Sequence, residues 1–217
     1  MRDTIRLYSD QSPSIRLFVR LRHLLSPLEV LEEKVPKRGN ILDLGCGHGL
    51  FTNYMALRAS SRNIVGIDPS IVKFKVAKKT EDRVPNVHYI LGNITDAVEL
   101  GHFDAITIVD VLYLLPEAEQ IETIKTCYRL LSDSGVLLLK TQDTRPLWRF
   151  VLTYAQETVM VNARLTLGSN KLHFIAAPKT RKILKAAGFS VEYFKLPSSL
   201  FYPHIAFVCK KEEQREE

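Results

Sequence analysis

The sequence predicts an α/β protein: a doubly wound, mainly parallel seven-stranded sheet with helices on both faces, an N-terminal helical extension and a helical insertion after the fifth strand. Three observations lead there. From about residue 40 onward, short apolar and β-branched runs alternate with longer helical patterns, which is the rhythm of parallel βαβ units. A glycine turn, Gly45-Cys46-Gly47-His48-Gly49, joins the first such run to the first helical pattern, at the end of the strands where open α/β sheets bind ligands. The chain has 217 residues, 46% of them hydrophobic and 25% charged, which suffices for one substantial core.

Each element follows from local signals. Ser12-Pro13 places a capping side chain before a proline at the first helical position, and Ser26-Pro27-Leu28-Glu29 reads as a capping box, so short helices are expected over 13–25 and 27–34. Strands are expected at 40–44, 63–67, 87–91, 103–109, 135–140, 190–195 and 204–210, and helices at 49–59, 70–79, 117–131 and 179–187. Residues 1–37 thus form a helical extension, 38–210 the sheet domain, and 211–217 a charged tail. The stretch 144–178 carries Trp148, Phe150, Tyr154 and His173 and is too long for a simple connection, so it is read as a substrate cap above the strand ends.

Composition narrows the function classes. The formal charge of +6 favours an anionic partner, whether a membrane surface, a nucleic acid or an acidic small molecule. The basic residues are scattered, however, and the tail from Lys210 to Glu217 mixes both signs, so a nucleic acid is disfavoured. No apolar run approaches the roughly 18 to 20 residues that cross a bilayer, and Met1-Arg2-Asp3-Thr4 opens no signal core. The expected location is the cytoplasm, with the inner membrane surface as the alternative. Cys46, Cys127 and Cys209 suit neither a disulfide framework nor a zinc site, and no metal is expected.

The glycine turn discriminates among ligands. Ile41-Leu42-Asp43-Leu44 runs into it as a buried strand, and Leu50-Phe51-Thr52-Asn53 leaves it as a helix. With Gly45 and Gly47 as the first pair, a dinucleotide fingerprint would require glycine where Leu50 stands, and no Gly-Lys-Ser/Thr follows for a phosphate loop. Asp43, just before the turn, would repel a pyrophosphate but could pair with a ligand ammonium group. Asp68 lies 25 residues later, at the end of the next strand, where a carboxylate can accept both hydroxyls of a ribose. S-adenosylmethionine (SAM) carries an ammonium group and a ribose.

These residues resemble the class I, seven-stranded SAM-dependent methyltransferases, over residues 38–140 by motif and 179–210 by pattern. The resemblance implies that Asp43, Gly45, Cys46, Gly47 and Gly49 surround the methionine part of SAM and that Asp68, with Pro69, meets the ribose. Leu91-Gly92-Asn93-Ile94 stands where the family flanks the adenine, with Asn93 in place of the usual acid and Ile94 as the apolar neighbour. Asp110, leaving the fourth strand, is implied to lie beside cofactor and acceptor. Asp133-Ser134-Gly135 replaces the family's Pro-Gly-Gly turn into the fifth strand.

The acceptor is less determined. The segment Asp110-Val111-Leu112-Tyr113 is not the Asn/Asp-Pro-Pro-Tyr/Phe device for adenine or glutamine amines, and no Pro-Cys nucleophile for cytosine occurs. Asp110, Tyr113, His173, Tyr202 and His204 are the candidate proton acceptors, although a lone histidine or tyrosine near a strand end often only packs. On the helix over 13–25, Arg16, Arg20 and His23 share one face and most of the rest is apolar. Such a helix can lie in a membrane interface, or it can pack on the sheet and lid the cofactor. The expected function is methyl transfer from SAM to O, N or C of a small-molecule or lipid-like acceptor, with protein or RNA methylation and non-catalytic SAM binding as rivals.

Overall fold

The computed structural model describes residues 2–143, 172–197 and 204–212. Trp148, Phe150 and Tyr154 of the expected cap, Tyr202, and most of the charged tail lie outside the described residues. In chain order the elements are α1 (Arg2–Arg6), α2 (Pro13–Leu25), α3 (Leu28–Glu32), β1 (Gly39–Leu44), α4 (Leu50–Arg58), β2 (Arg62–Asp68), α5 (Ile71–Lys78), β3 (Val87–Leu91), β4 (Phe103–Val109), α6 (Glu117–Leu130), β5 (Leu131–Gln142), α7 (Ala177–Ala186), β6 (Phe189–Lys195) and β7 (His204–Lys211).

The strands form one seven-stranded sheet in the order β3-β2-β1-β4-β5-β7-β6. The pairs from β3 through β5 are parallel, so their C-terminal ends share one edge. Strand β7 is antiparallel to both β5 and β6, which makes the sheet mixed. The connection between Lys195 and His204 is too short for the crossover that a parallel partner needs, so β7 turns back along β6. The two faces of the sheet are separate cores. Ile41, Met55, Ile64 and Tyr89 lie in one, and Leu42, Ile106, Leu137 and Phe207 in the other. Adjacent strand residues point to opposite faces, so Ile41 and Leu42 fall in different cores.

Three local expectations need correction. Helix α1 was not foreseen. Helix α3 starts at Leu28 with Pro27 at its cap and no side-chain cap bond, while the Ser26 hydroxyl is buried without a partner, so the capping box does not form. Strand β5 begins at Leu131, ahead of Asp133-Ser134-Gly135. Phe103 pairs with Leu131 and Ala105 with Val136, so the intended turn is an irregularity inside the strand. Ser12 does cap α2, accepting from the Ile15 N–H at 3.5 Å.

The extension is fastened to the sheet domain by a buried guanidinium. Arg62 donates to Glu32 Oε1 at 2.7 Å and to the carbonyls of Val35 at 2.8 Å, Pro36 at 2.6 Å and Met55 at 2.7 Å. The side chain is fully enclosed, and the groups that accept from it are spread over α3, the segment before β1 and α4, so the three cannot separate without stranding a buried charge.

Candidate cofactor and acceptor site

The glycine turn is held from below. The N–H groups of Gly45 and Cys46 both donate to the Ile67 carbonyl, at 2.7 and 3.1 Å, fixing the turn to the end of β2. Gly47 has φ 58° and an open side, since a Cβ there would meet nothing nearer than Lys73 Cδ at 4.0 Å. At Gly49 a Cβ would lie 2.3 Å from the Tyr89 hydroxyl, so the loop is tight at one end and open in the middle. Helix α4 starts at the same turn with no side-chain cap and no acid in its first turn, which leaves the positive end of its dipole facing the opening.

Asp43 and Asp68 occupy different niches. Asp43 is buried, and its two oxygens accept from the hydroxyls of Thr52 and Thr107, each at 2.6 Å. Burial raises its pKa to about 6 even though these hydroxyls oppose the shift. The carboxylate therefore ties β1 to α4 and β4 behind the loop, and its engagement here is with threonines. Asp68 accepts from the N–H of Gly47 and from that of Ser70, each at 2.9 Å. A carboxylate has about four acceptor sites, so these two bonds leave about two of them unused. Pro69 beside it is exposed. Asn93 is exposed and caps its own turn, exchanging hydrogen bonds with Asp96, and Ile94 is half-buried against the core. Burial, with Asp43 and Asp68 nearby, pushes the Cys46 thiol well above its usual range, so it is no thiolate nucleophile.

The extension reaches the loop from the other side. The Tyr8 hydroxyl donates to the His48 carbonyl at 2.8 Å and accepts from Asn53 Nδ2 at 3.0 Å. Asn53 also donates to Thr80 Oγ1 at 2.9 Å and accepts from the Tyr89 hydroxyl at 2.9 Å. The Phe18 ring of α2 lies 4.9 Å from the His48 ring. Burial, with Lys73 and Arg22 nearby, lowers the His48 pKa to about 4, so the ring is neutral near pH 7.

Asp110, the candidate neighbour of the acceptor, lies at the end of β4. Among the described residues it is the one non-glycine with positive φ, 59°, held there by its N–H donating to the Lys140 carbonyl at 3.1 Å. Its Oδ2 receives Arg22 Nη2 at 2.6 Å and the buried Lys140 Nζ at 2.5 Å, while its Oδ1 is buried without a hydrogen-bond partner. Burial alone would raise its pKa, but Lys140, Arg22 and His204 together outweigh it and hold the carboxyl at about 2. Asp110 is therefore a fixed charge and a poor proton acceptor. Its neighbour Val111 abuts Gly45, where a Cβ would lie 2.5 Å from a Val111 methyl, so the two halves of the site are in contact.

The other candidates converge on the same edge. Tyr113 is buried and stacked on Phe174 with ring centroids 4.5 Å apart. His173 comes here through its backbone: its N–H donates to the Tyr113 carbonyl at 2.7 Å, and its carbonyl accepts from Gln120 Nε2 at 2.7 Å. His204 opens β7 opposite Gln142, near enough to Asp110 to act on its carboxylate. Sequence reasoning missed Tyr8, Arg22, Thr52, Thr107 and Lys140. Lys140 carried a signal, since a lysine closing the apolar run Val136-Leu137-Leu138-Leu139 is buried only if paired.

A family model for the methyltransferase domain matches residues 15–193. The chain is 32% identical over 129 residues to a ubiquinone biosynthesis O-methyltransferase of Xanthomonas oryzae pv. oryzae, covering 57% of this chain and 53% of that one. A protein of the same description from Xanthomonas euvesicatoria pv. vesicatoria is 31% identical over the same coverage. The chain spans about half the length of the curated relatives it matches. Among solved structures, an O-methyltransferase family protein from Burkholderia thailandensis superposes with a TM-score of 0.73 at 18% identity, covering 97% of this chain and 63% of that one. The magnesium protoporphyrin IX methyltransferase of Synechocystis PCC 6803 with bound S-adenosylhomocysteine (SAH) gives 0.67 at 20% identity, covering 95% and 92%. Those two likenesses bear on the fold, and the family model bears on the sequence. Matched by that model over most of its length, and with a glycine turn and Asp68 at adjoining strand ends, the chain belongs to the methyltransferase domain family, of the class I SAM-dependent type.

Proposed function

We propose that the protein transfers the methyl group of SAM to a small-molecule acceptor, with oxygen as the receiving atom. The observation that carries this reading is the meeting of the open loop at Gly47, the Asp68 carboxylate and the unpartnered Asp110 Oδ1 along one sheet edge. The cradle fits the donor: an open backbone turn at an uncapped helix start, an acceptor for hydroxyls, and a buried anion oxygen without a partner. Residues 45–49 would hold the methionine part, Asp68 the ribose hydroxyls, and Asn93 with Ile94 the adenine edge. The names of the relatives, O-methyltransferases of ubiquinone biosynthesis, support a small molecule and an oxygen acceptor.

Bound SAM supplies a methyl carbon activated by its sulfonium. The chain's own contribution is position and exclusion of water. Lys140 and Arg22 fix the Asp110 carboxylate, Phe18 and Arg22 bring α2 over the loop, and Tyr113 stacked on Phe174 gives the acceptor side an aromatic wall. Asp110 is too acidic to take a proton usefully, so the acceptor's hydroxyl proton would pass to another candidate on this edge, His173 or His204.

Thermal unfolding tests the donor. SAM and SAH should each raise the melting temperature, and Asp68→Ala should remove the shift; no shift in the wild-type protein would overturn the reading. Labelled SAM added to a cell extract tests the acceptor. Label should enter the small-molecule fraction, and label recovered in protein or RNA would reject the acceptor class.

A further inference from the structure

Helix α2 has two apolar faces where one would serve. Ile15, Phe18, Val19 and Arg22, at spacings of three and four residues, face inward: Val19 is fully buried, Ile15 and Phe18 pack against the core, and Arg22 reaches Asp110. Leu17, Leu21 and Leu24 form a second stripe at the same spacings and are 58%, 47% and 69% exposed. Arg16 and Arg20 are exposed along the edge of that stripe, and the helix from Pro13 to Leu25 contains no acidic residue.

Two more exposed apolar residues stand beside the cofactor loop. Ile71 and Val72, opening α5, are 46% and 67% exposed, and the next residue, Lys73, is the side chain nearest the open face of Gly47. The Phe18 ring lies 4.9 Å from the His48 ring and Lys73 Cδ 4.0 Å from a Cβ at Gly47, so α2 and the start of α5 both adjoin the loop. Exposed leucine, isoleucine and valine, with arginine and lysine among them, thus form a rim on the two elements that adjoin the loop.

We propose that this rim docks on an anionic lipid surface, with Leu17, Leu21 and Leu24 entering the headgroup boundary and Arg16 and Arg20 pairing with lipid phosphates. Charge complementarity selects this occupant. Long cationic side chains beside an apolar stripe let the stem lie in the boundary while the head stays hydrated, and an acid-free helix attracts an anionic leaflet. A docked helix brings the lipid headgroup layer to the mouth of the site, because the inner face of the same helix carries Phe18 and Arg22. Resting on the methyl-transfer reading above, this makes the acceptor an amphiphile taken from the lipid surface.

Vesicle flotation tests the docking without any methyl donor. The wild-type protein should float with vesicles containing one-third phosphatidylglycerol and stay behind with pure phosphatidylcholine. Arg16→Ala with Arg20→Ala should weaken partitioning about 30-fold, the loss for two charges at about 1 kcal/mol each. Leu17→Ser with Leu21→Ser should abolish it. Both double variants should keep the SAH-induced melting shift, which shows that the site still folds. No flotation of the wild type, equal flotation of either double variant, or equal binding to neutral vesicles overturns the proposal. So does a dimer in light scattering that Leu17→Ser with Leu21→Ser dissolves, since a second copy would then own the face. Failure of flotation with the SAH shift intact rejects the docking alone; loss of the SAH shift in the wild type rejects the methyl-transfer reading alone.

Discussion

The donor half of the site, built on β1, α4 and β2, and the acceptor half, built on α2, β4, β5 and β7, hold their buried carboxylates by opposite means. Asp43 and Asp110 sit at the ends of paired strands and both are enclosed. Burial pushes both toward the neutral form. Asp43 has only hydroxyls to oppose it and rises to about 6, whereas Asp110 has Lys140 and Arg22 and falls to about 2. Ionisation in this fold is therefore set by what faces a carboxylate more than by how deep it lies. The donor half holds its buried carboxylate with hydroxyls, and the acceptor half holds its own with cations.

The largest test of that contrast is Lys140→Met. Removing the buried partner leaves Asp110 with the partly exposed Arg22 alone, so a loss of up to about 3 kcal/mol is expected in urea unfolding. Asp43→Asn at pH 7 keeps two hydrogen bonds to threonine and should lose about 1 kcal/mol or less. Equal losses would erase the distinction between the halves.

Unfolding measured against pH should split the two carboxylates by sign. The folded pKa of Asp43 is raised, so its contribution is fully present below about pH 4 and is lost as pH rises through about 6. Relative to Asp43→Asn, the wild type should lose up to about 3 kcal/mol across that window. The folded pKa of Asp110 is depressed, so its contribution is present above the ordinary carboxylate range and is lost as pH falls toward 2. Relative to Asp110→Asn, the wild type should weaken on acidification. Parallel slopes in the two comparisons would show that both carboxylates sit in like surroundings.

A smaller effect probes the donor half itself. Tyr8→Phe deletes the bond to the His48 carbonyl and should lower stability by about 1 kcal/mol. It should also weaken SAH binding severalfold in calorimetry, because the loop loses its brace from the extension. Unchanged affinity would confine Tyr8 to packing.

The two halves also differ in how much of them was legible in sequence. The loop from Asp43 to Gly49 and the acid at Asp68 are local signals, because a strand, a turn and a helix in succession leave their mark within a few residues. Strand ends were read to within a residue or two except at β5, where the pairing of Phe103 with Leu131 carries the strand back past the turn residues. The acceptor half had no local mark. Arg22, Asp110, Lys140 and His204 come from four separate elements and meet only when the sheet assembles. The same limit explains Asp43, whose place at a strand end was evident but whose threonine partner on β4 lies 64 residues away.

The bond between Arg22 and Asp110 joins residues 88 positions apart in the chain. Closing so long a loop forfeits chain entropy that only a nearly assembled sheet can repay, whereas the pairing of β1 with β2 draws on much nearer segments. On that reasoning helix α2 should settle late during folding and lift before β1 and β4 in the native protein. Its amides should exchange with deuterium ahead of those in β1 and β4, and the entrance to the site should open and close on the timescale of that local release, well short of global unfolding.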